Sequence, residues 1–86
     1  MMYVFGGYDN DVGISNDLYV LDVNTRNWSV LKSPQPKPSP RYCHYSTIYR
    51  MKKKKYILVF GGRGANSVVF NDIWSYDIKE NSWSEL

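Results

Sequence analysis

The chain is predicted to be all-β and antiparallel, built from two copies of one strand unit. Three observations predict this. First, a shift of 55 residues carries Phe5-Gly6-Gly7 onto Phe60-Gly61-Gly62, Asn16-Asp17 onto Asn71-Asp72, Asp22 onto Asp77, Trp28 onto Trp83 and Leu31 onto Leu86, with no gap. A fixed period of this length marks stacked copies of one supersecondary unit. Second, short apolar runs rich in β-branched and aromatic residues stop at glycine pairs, as buried strands do. Third, no helical pattern of useful length occurs anywhere in the chain.

The elements follow in order. Tyr3-Val4-Phe5 is a short apolar strand ended by Gly6-Gly7. Tyr8 to Ser15 shares nothing with its counterpart Arg63 to Phe70, although the two have equal length, so each is expected to be a variable loop on a common frame. Leu18-Tyr19-Val20-Leu21 is the next strand. Asp22 to Asn27 is a polar turn, where Asp and Asn bond their own backbone. Trp28 to Leu31 closes the first unit, residues 1–31.

Residues 32–40 carry all four prolines, at 34, 36, 38 and 40, and are expected to be an extended connector between units. A proline-rich ligand for a partner is the alternative. The second unit, residues 41–86, supplies four strands at about 42–49, 56–60, 72–76 and 82–86. Lys52 to Lys55 turn the chain between the first two. The first unit has only three strands, lacking the one that would precede Tyr3.

The bulk numbers bound the function. Eighty-six residues suffice for one small domain, and 43% hydrophobic with 16% aromatic content indicates a folded chain. No run of about 18 apolar residues is present to span a membrane. The start of the chain has no basic region before its short apolar stretch, so no signal peptide is expected. The single cysteine, Cys43, excludes an internal disulfide and fits a reducing compartment, with a cytoplasmic location expected and the nucleus as the alternative. The net charge of +3 is local: Arg50 and Lys52 to Lys55 carry it, and the rest of the chain is net negative. This run is expected to be a solvated hairpin tip; a nuclear-localisation signal or anionic partner is the other reading.

A unit with a diglycine after its second strand, an aromatic in the third and a Trp some nine residues later resembles the Kelch repeat. In the second unit the residues are Arg41 and His44, Leu58-Val59-Phe60-Gly61-Gly62, Asn71 to Asp77, and Trp83 with Leu86; the first unit has all but the opening Arg and His. The resemblance implies a Kelch-type β-propeller, each repeat one antiparallel four-stranded blade, with about two blades present here. Gly6, Gly7, Gly61 and Gly62 are expected to allow close backbone approach. Tyr19, Trp28, Trp74 and Trp83 are expected to fill the space between blades. Asn16, Asp17, Asn71 and Asp72 are expected to bond the turn entering the third strand. Because propellers have typically four to eight blades, the chain is expected to be part of a larger propeller, completed by further blades in the same or another chain.

Sites for chemistry are sparse. His44 is the only histidine, and strand neighbours point to opposite faces, so no dyad with Cys43 is expected. One His and one Cys make no zinc or copper site, which argues against the copper-radical oxidases that share this fold. Asp9-Asn10-Asp11-Val12-Gly13 lacks the bidentate Glu of a calcium loop. The lysine run has no interleaved aromatics for nucleic acid. No catalytic, metal or cofactor site is therefore expected, and the chain is read as a non-enzyme. Kelch proteins commonly serve as adaptors, so the resemblance implies a protein–protein interaction module. Its exposed contact residues are expected to be Tyr8, Asp9, Asp11, Arg41, Arg63 and Asn66, since loops on rigid scaffolds carry binding. The alternative is part of a larger enzyme, or a phosphatase- or ubiquitin-ligase-associated propeller, with catalytic residues outside this chain.

Overall fold

The computed structural model describes residues 1–86. Nine strands form in order: β1 Met2–Phe5, β2 Tyr8–Asp9, β3 Gly13–Ile14, β4 Leu18–Asp22, β5 Asn27–Leu31, β6 Tyr45–Met51, β7 Lys54–Arg63, β8 Val69–Asp77 and β9 Ser82–Glu85. They make a three-stranded sheet β1-β4-β5, a two-stranded hairpin β2-β3 and a four-stranded sheet β6-β7-β8-β9. All pairs are antiparallel. The architecture is all-β, as expected for partial propeller blades.

The repeat is carried into the register. Phe5 lies opposite Leu18, and Phe60 opposite Ile73. Val4 pairs with Tyr19, and Val59 with Trp74. Leu21 pairs with Trp28, and Tyr76 with Trp83. Both copies close the turn after their third strand in the same way. Asp22 Oδ1 accepts the N–H groups of Asn24 and Thr25 at 3.0 and 3.3 Å. Asp77 Oδ1 accepts those of Lys79 and Glu80 at 3.0 and 3.1 Å.

Because side chains alternate across a strand, each sheet has two faces. Phe5 and Leu18, with Tyr3 and Leu31 at the margin, form one face of the first sheet. This face packs on Ile57, Val59, Trp74, Tyr76 and Trp83, which belong to the opposite type of face of the second sheet. The Phe5 and Trp83 rings lie 5.0 Å apart between centroids. Burying one such side chain contributes about 1.5–3 kcal/mol. The core is therefore the space between the two sheets, and neither sheet has a core of its own.

Several boundaries differ from expectation. The strand expected from 42 begins at Tyr45, because Cys43 adopts a left-handed conformation (φ 58) that a continuing strand does not tolerate. Only Tyr42 bridges, to Arg63. The stretch expected to hold Cys43 and His44 on one strand is thus a bend. β7 and β8 run on past the glycines to Arg63 and Val69, with a bulge between Phe60 and Gly62. At that bulge a Cβ on Gly62 would sit 2.9 Å from the Tyr42 carbonyl oxygen, and one on Gly6 would sit 2.7 Å from that of Arg41. One glycine of each pair, Gly6 and Gly62, therefore permits close approach to the segment that opens the second unit, whereas a Cβ on Gly7 would meet nothing within 4 Å and one on Gly61 only the Phe70 carbonyl. Lys52 and Lys53 form the β6–β7 turn, and Lys54 Nζ lies 3.5 Å from Asp77 Oδ2.

Trp28 lies on the face of the first sheet that no other sheet of this chain covers. It stands 56% exposed, whereas Trp83, its counterpart in the repeat, is 5% exposed. Trp83 faces the first sheet, and nothing lies over Trp28. The proline segment is also more than a spacer. Pro38 is buried, and its carbonyl accepts Asn16 Nδ2 at 3.2 Å. Asn81 Nδ2 donates to the Lys32 carbonyl at 2.8 Å, and Ser33 Oγ lies 2.8 Å from Asn81 Oδ1. The segment is stitched to both units.

Candidate functional site

The two unlike loops rise side by side at one end of the sheets. In the first, Asp9 Oδ1 accepts the N–H groups of Asp11 and Val12 at 2.7 and 3.2 Å, and this turn joins β2 to β3. In the second, the ends of β7 and β8 carry a short 3-10 turn at Ala65–Ser67, with Asn66 and Ser67 at positive φ. Between the loops lies an open cleft of about 600 Å³. Tyr8 and Ile14 line one wall, Ala65, Val68 and Phe70 the other, and Ser39-Pro40 of the proline segment the floor.

Arg41 supports this cleft from beneath. Its side chain is fully buried and its guanidinium carbon lies 4.1 Å from the centre of the Phe70 ring. Nη1 and Nη2 donate to Asp72 Oδ1 and Oδ2 at 2.6 and 3.0 Å. Nη1 also reaches the Gly61 carbonyl and Nε the Ser39 carbonyl, each at 3.1 Å. Trp74 Nε1 donates to Asp72 Oδ2 at 2.9 Å. Hydrogen bonding from Arg41 holds the Asp72 carboxyl below the usual range, against the opposing effect of burial. The Arg41 backbone ties in the first unit, accepting from Gly7 N–H at 2.9 Å and donating to Ser15 O at 3.2 Å.

Arg41 was expected at the exposed contact surface, and the structure corrects that expectation. A guanidinium with four donor contacts, one aromatic neighbour and no solvent exposure positions other groups and touches no partner. Likewise, Asn16 bonds Pro38 and Asp72 bonds Arg41, both across to other segments, with Trp74 Nε1 as a local donor to Asp72. Tyr8, Asp9, Asp11, Arg63 and Asn66 are exposed. Of these only Tyr8 lines the cleft, with its ring 5.7 Å from that of Tyr42; the others stand on the two loops. The apolar lining residues Ile14, Pro40, Val68 and Phe70 were not singled out from sequence. Their signal was available, since apolar residues inside otherwise polar turn segments have no local reason to be there.

His44 packs edge-on to Phe5 at 5.6 Å. Its Nδ1 is buried with no protein partner. Burial, aided by the Arg41 charge and opposed by the Phe5 backbone, pushes the imidazole pKa down. No three His, Cys, Asp or Glu side chains converge as a metal-binding group.

A family model described as the KLHDC2/KLHL20/DRC7 Kelch-repeats domain matches residues 1–86. Protein ral2 of Schizosaccharomyces pombe is 36% identical over 98% of this chain, which spans 14% of that protein. The N-(sulfonatooxy)prop-2-enimidothioate sulfolyase of Thlaspi arvense is 37% identical over 99% of this chain, which spans 24% of it. The human Rab9 effector protein with kelch motifs is 34% identical over 98% of this chain, which spans 22% of it. The chain thus spans less than a quarter of the length of each of these relatives. With a family match over its whole length and blade-like sheets repeating in register, the chain belongs to the Kelch-repeat family, whose domains generally serve protein–protein interaction.

Proposed function

We propose that this chain contributes a protein-binding surface in an adaptor or scaffold, with the cleft between its two loops as the point of contact. The observation that carries the reading is the apolar cleft itself: two loops of unrelated sequence meet over Pro40 on a rigid frame braced by Arg41. Polar loop tips bearing Asp9, Asp11, Arg63 and Asn66 surround an apolar centre, the composition of a protein-recognition surface. Tyr8 is 60% exposed and packs at a tilt against Tyr42 at one side, and such aromatic anchors carry much of the energy of protein contacts. The name of the Rab9 effector supports a partner-binding role. The single cysteine supports a reducing location, cytoplasmic or nuclear.

The test is quantitative capture by the protein that contains this chain, comparing wild type with Tyr8→Ala, Val68→Asp and the distant control Lys53→Ala. The specifically recovered protein is expected to fall at least tenfold with each cleft variant and to be unchanged with Lys53→Ala. Equal recovery by all four would remove the cleft from the binding surface. A second reading is that the whole propeller carries an active site, favoured by the sulfolyase among the relatives. Turnover of a small molecule by the whole protein, lost on Tyr8→Ala with protein capture unaffected, would select it.

A further inference from the structure

The two ends of the sheets differ in charge. The cleft lies at the end where β1 and β7 finish. At the opposite end β6 and β7 are joined by the turn at Lys52 and Lys53, and Arg50 with Lys52 to Lys55 places five cations on one hairpin. The neighbouring turns after β4 and β8 add Arg26 and Lys79, against the carboxylates of Asp22, Asp77 and Glu80. Seven cations against three carboxylates give this end a net +4, and the remainder of the chain carries −1. Of the five hairpin cations only Lys54 has an ionic partner, Asp77 at 3.5 Å. The hairpin also projects. The last β7–β8 pair at this end is Tyr56 with Asp77, whereas β6 and β7 stay paired as far as Met51 with Lys54. Two further residues of strand carry the tip about 7 Å beyond its neighbour. Met51 at the tip is 56% exposed, and Val23 on the turn after β4 is 54% exposed.

Shape and composition select the partner. The backbone of Lys54 and Lys55 is fixed in the β6–β7 ladder, so the run is not an extended peptide that a transport receptor could read one lysine at a time. Both cavities of the chain open among the loops of the other end, so no groove here encloses an acidic peptide. Tyr49 and Tyr56 are half-buried and stacked on each other at 5.0 Å, which leaves no free aromatic face for a nucleic-acid base. The tip is convex, cationic and apolar at its apex, the combination that suits a flat anionic surface. We propose that this hairpin docks on an anionic phospholipid surface, with Arg50 and the lysines among the headgroups and Met51 at the boundary with the acyl chains. A protein held this way presents the cleft, at the far end of the same sheets, to solution.

The experiment is co-sedimentation of the protein that contains this chain with phosphatidylcholine vesicles, prepared with and without phosphatidylserine. Binding is expected only with phosphatidylserine, and it weakens as salt rises. Lys52→Gln, Lys53→Gln and Lys55→Gln together are expected to lower the partition coefficient about a hundredfold, at roughly fivefold per lysine. Met51→Ser is expected to lower it about threefold by removing the apolar apex. Arginine at the same three positions is expected to bind as wild type does. Lys32→Gln, which removes an exposed cation from the other end, is expected to leave binding unchanged. All these side chains are exposed, so unfolding midpoints are expected to match wild type. Wild-type protein that does not distinguish the two kinds of vesicle overturns the proposal. So does a folded triple glutamine variant that binds as wild type does. Binding of polyglutamate or duplex DNA through these lysines, without binding to vesicles, also overturns it and places an acidic protein or a nucleic acid on the hairpin.

Discussion

Arg41 and Asp72 are joined by two parallel contacts, at 2.6 and 3.0 Å, across 31 residues of sequence. The arginine has no solvent exposure, while the Asp72 side chain keeps 20%. Removing one partner of a buried pair costs about 3–5 kcal/mol, since it strands the other. Arg41→Ala is expected near the lower end of that range because Asp72 retains contact with water. Arg41→Lys is expected to recover little, as an ammonium cannot supply the planar fork that meets Asp72, Gly61 and Ser39 together. Chemical denaturation of the three proteins checks this; a lysine variant as stable as wild type would contradict it.

The same pair sets the acid limit. Asp72 has a folded-state pKa below its ordinary value, so the folded state binds that proton less readily than the unfolded chain. The stabilisation is present in full above the unfolded pKa of about 4 and is lost as pH falls through the folded one. Asp72→Asn is expected to lower stability at neutral pH and to flatten its decline below about pH 4. A residual slope remains from Asp77, whose pKa is lowered chiefly by the Glu80 N–H. Unfolding midpoints against pH check the difference in slope.

His44 acts at higher pH. Its folded pKa is depressed, so the unfolded state takes up the proton first and stability falls as pH drops below about 6.5. As the only histidine, it gives a removable signal. His44→Gln is expected to flatten the stability profile as pH falls through about 6.5, and an unchanged profile would place the transition elsewhere.

The two tryptophans of the repeat separate position from residue type. Trp83→Ala is expected to cost about 3–5 kcal/mol, as for a large core aromatic. Trp28→Ala is expected to cost under about 1 kcal/mol, since the ring stands exposed in this chain. Equal losses would mean that both are covered in the single chain.

Asn81 reports on the proline segment. Its side chain receives the Tyr76 hydroxyl at 2.6 Å, lies 2.8 Å from Ser33 Oγ and donates to the Lys32 carbonyl. Asn81→Ala removes the acceptor of the fully buried Tyr76 hydroxyl and leaves it only Ser33, which costs about 1–3 kcal/mol. Proteolysis within residues 32–40 is expected to accelerate in parallel, and an unchanged cleavage rate would show that the Pro38 and Ser39 contacts hold the segment without Asn81.

The strand frame is legible because it is local and written twice: glycine pairs, short apolar runs and aspartate turns each announce themselves within a few residues. What was not legible depends on distant partners. Arg41 reads as an exposed loop residue until Asp72 is brought under it by the β7–β8 pairing. Trp28 and Trp83 are the same residue in the same local pattern, and only the sheet lying against one distinguishes them. The cleft lies between these classes. Its loops were marked by their divergence, but its apolar lining comes from both units and from Pro40, and no single segment contains it.

The cleft and the core both rest on the first sheet packing against the second through Phe5 and Trp83. A double-mutant cycle with Phe5→Leu and Trp83→Leu, read by denaturant unfolding, tests that contact directly. The structure predicts a coupling of about 0.5–1.5 kcal/mol between the two rings. Strictly additive effects would show that the rings do not meet and would contradict the packing of the two units.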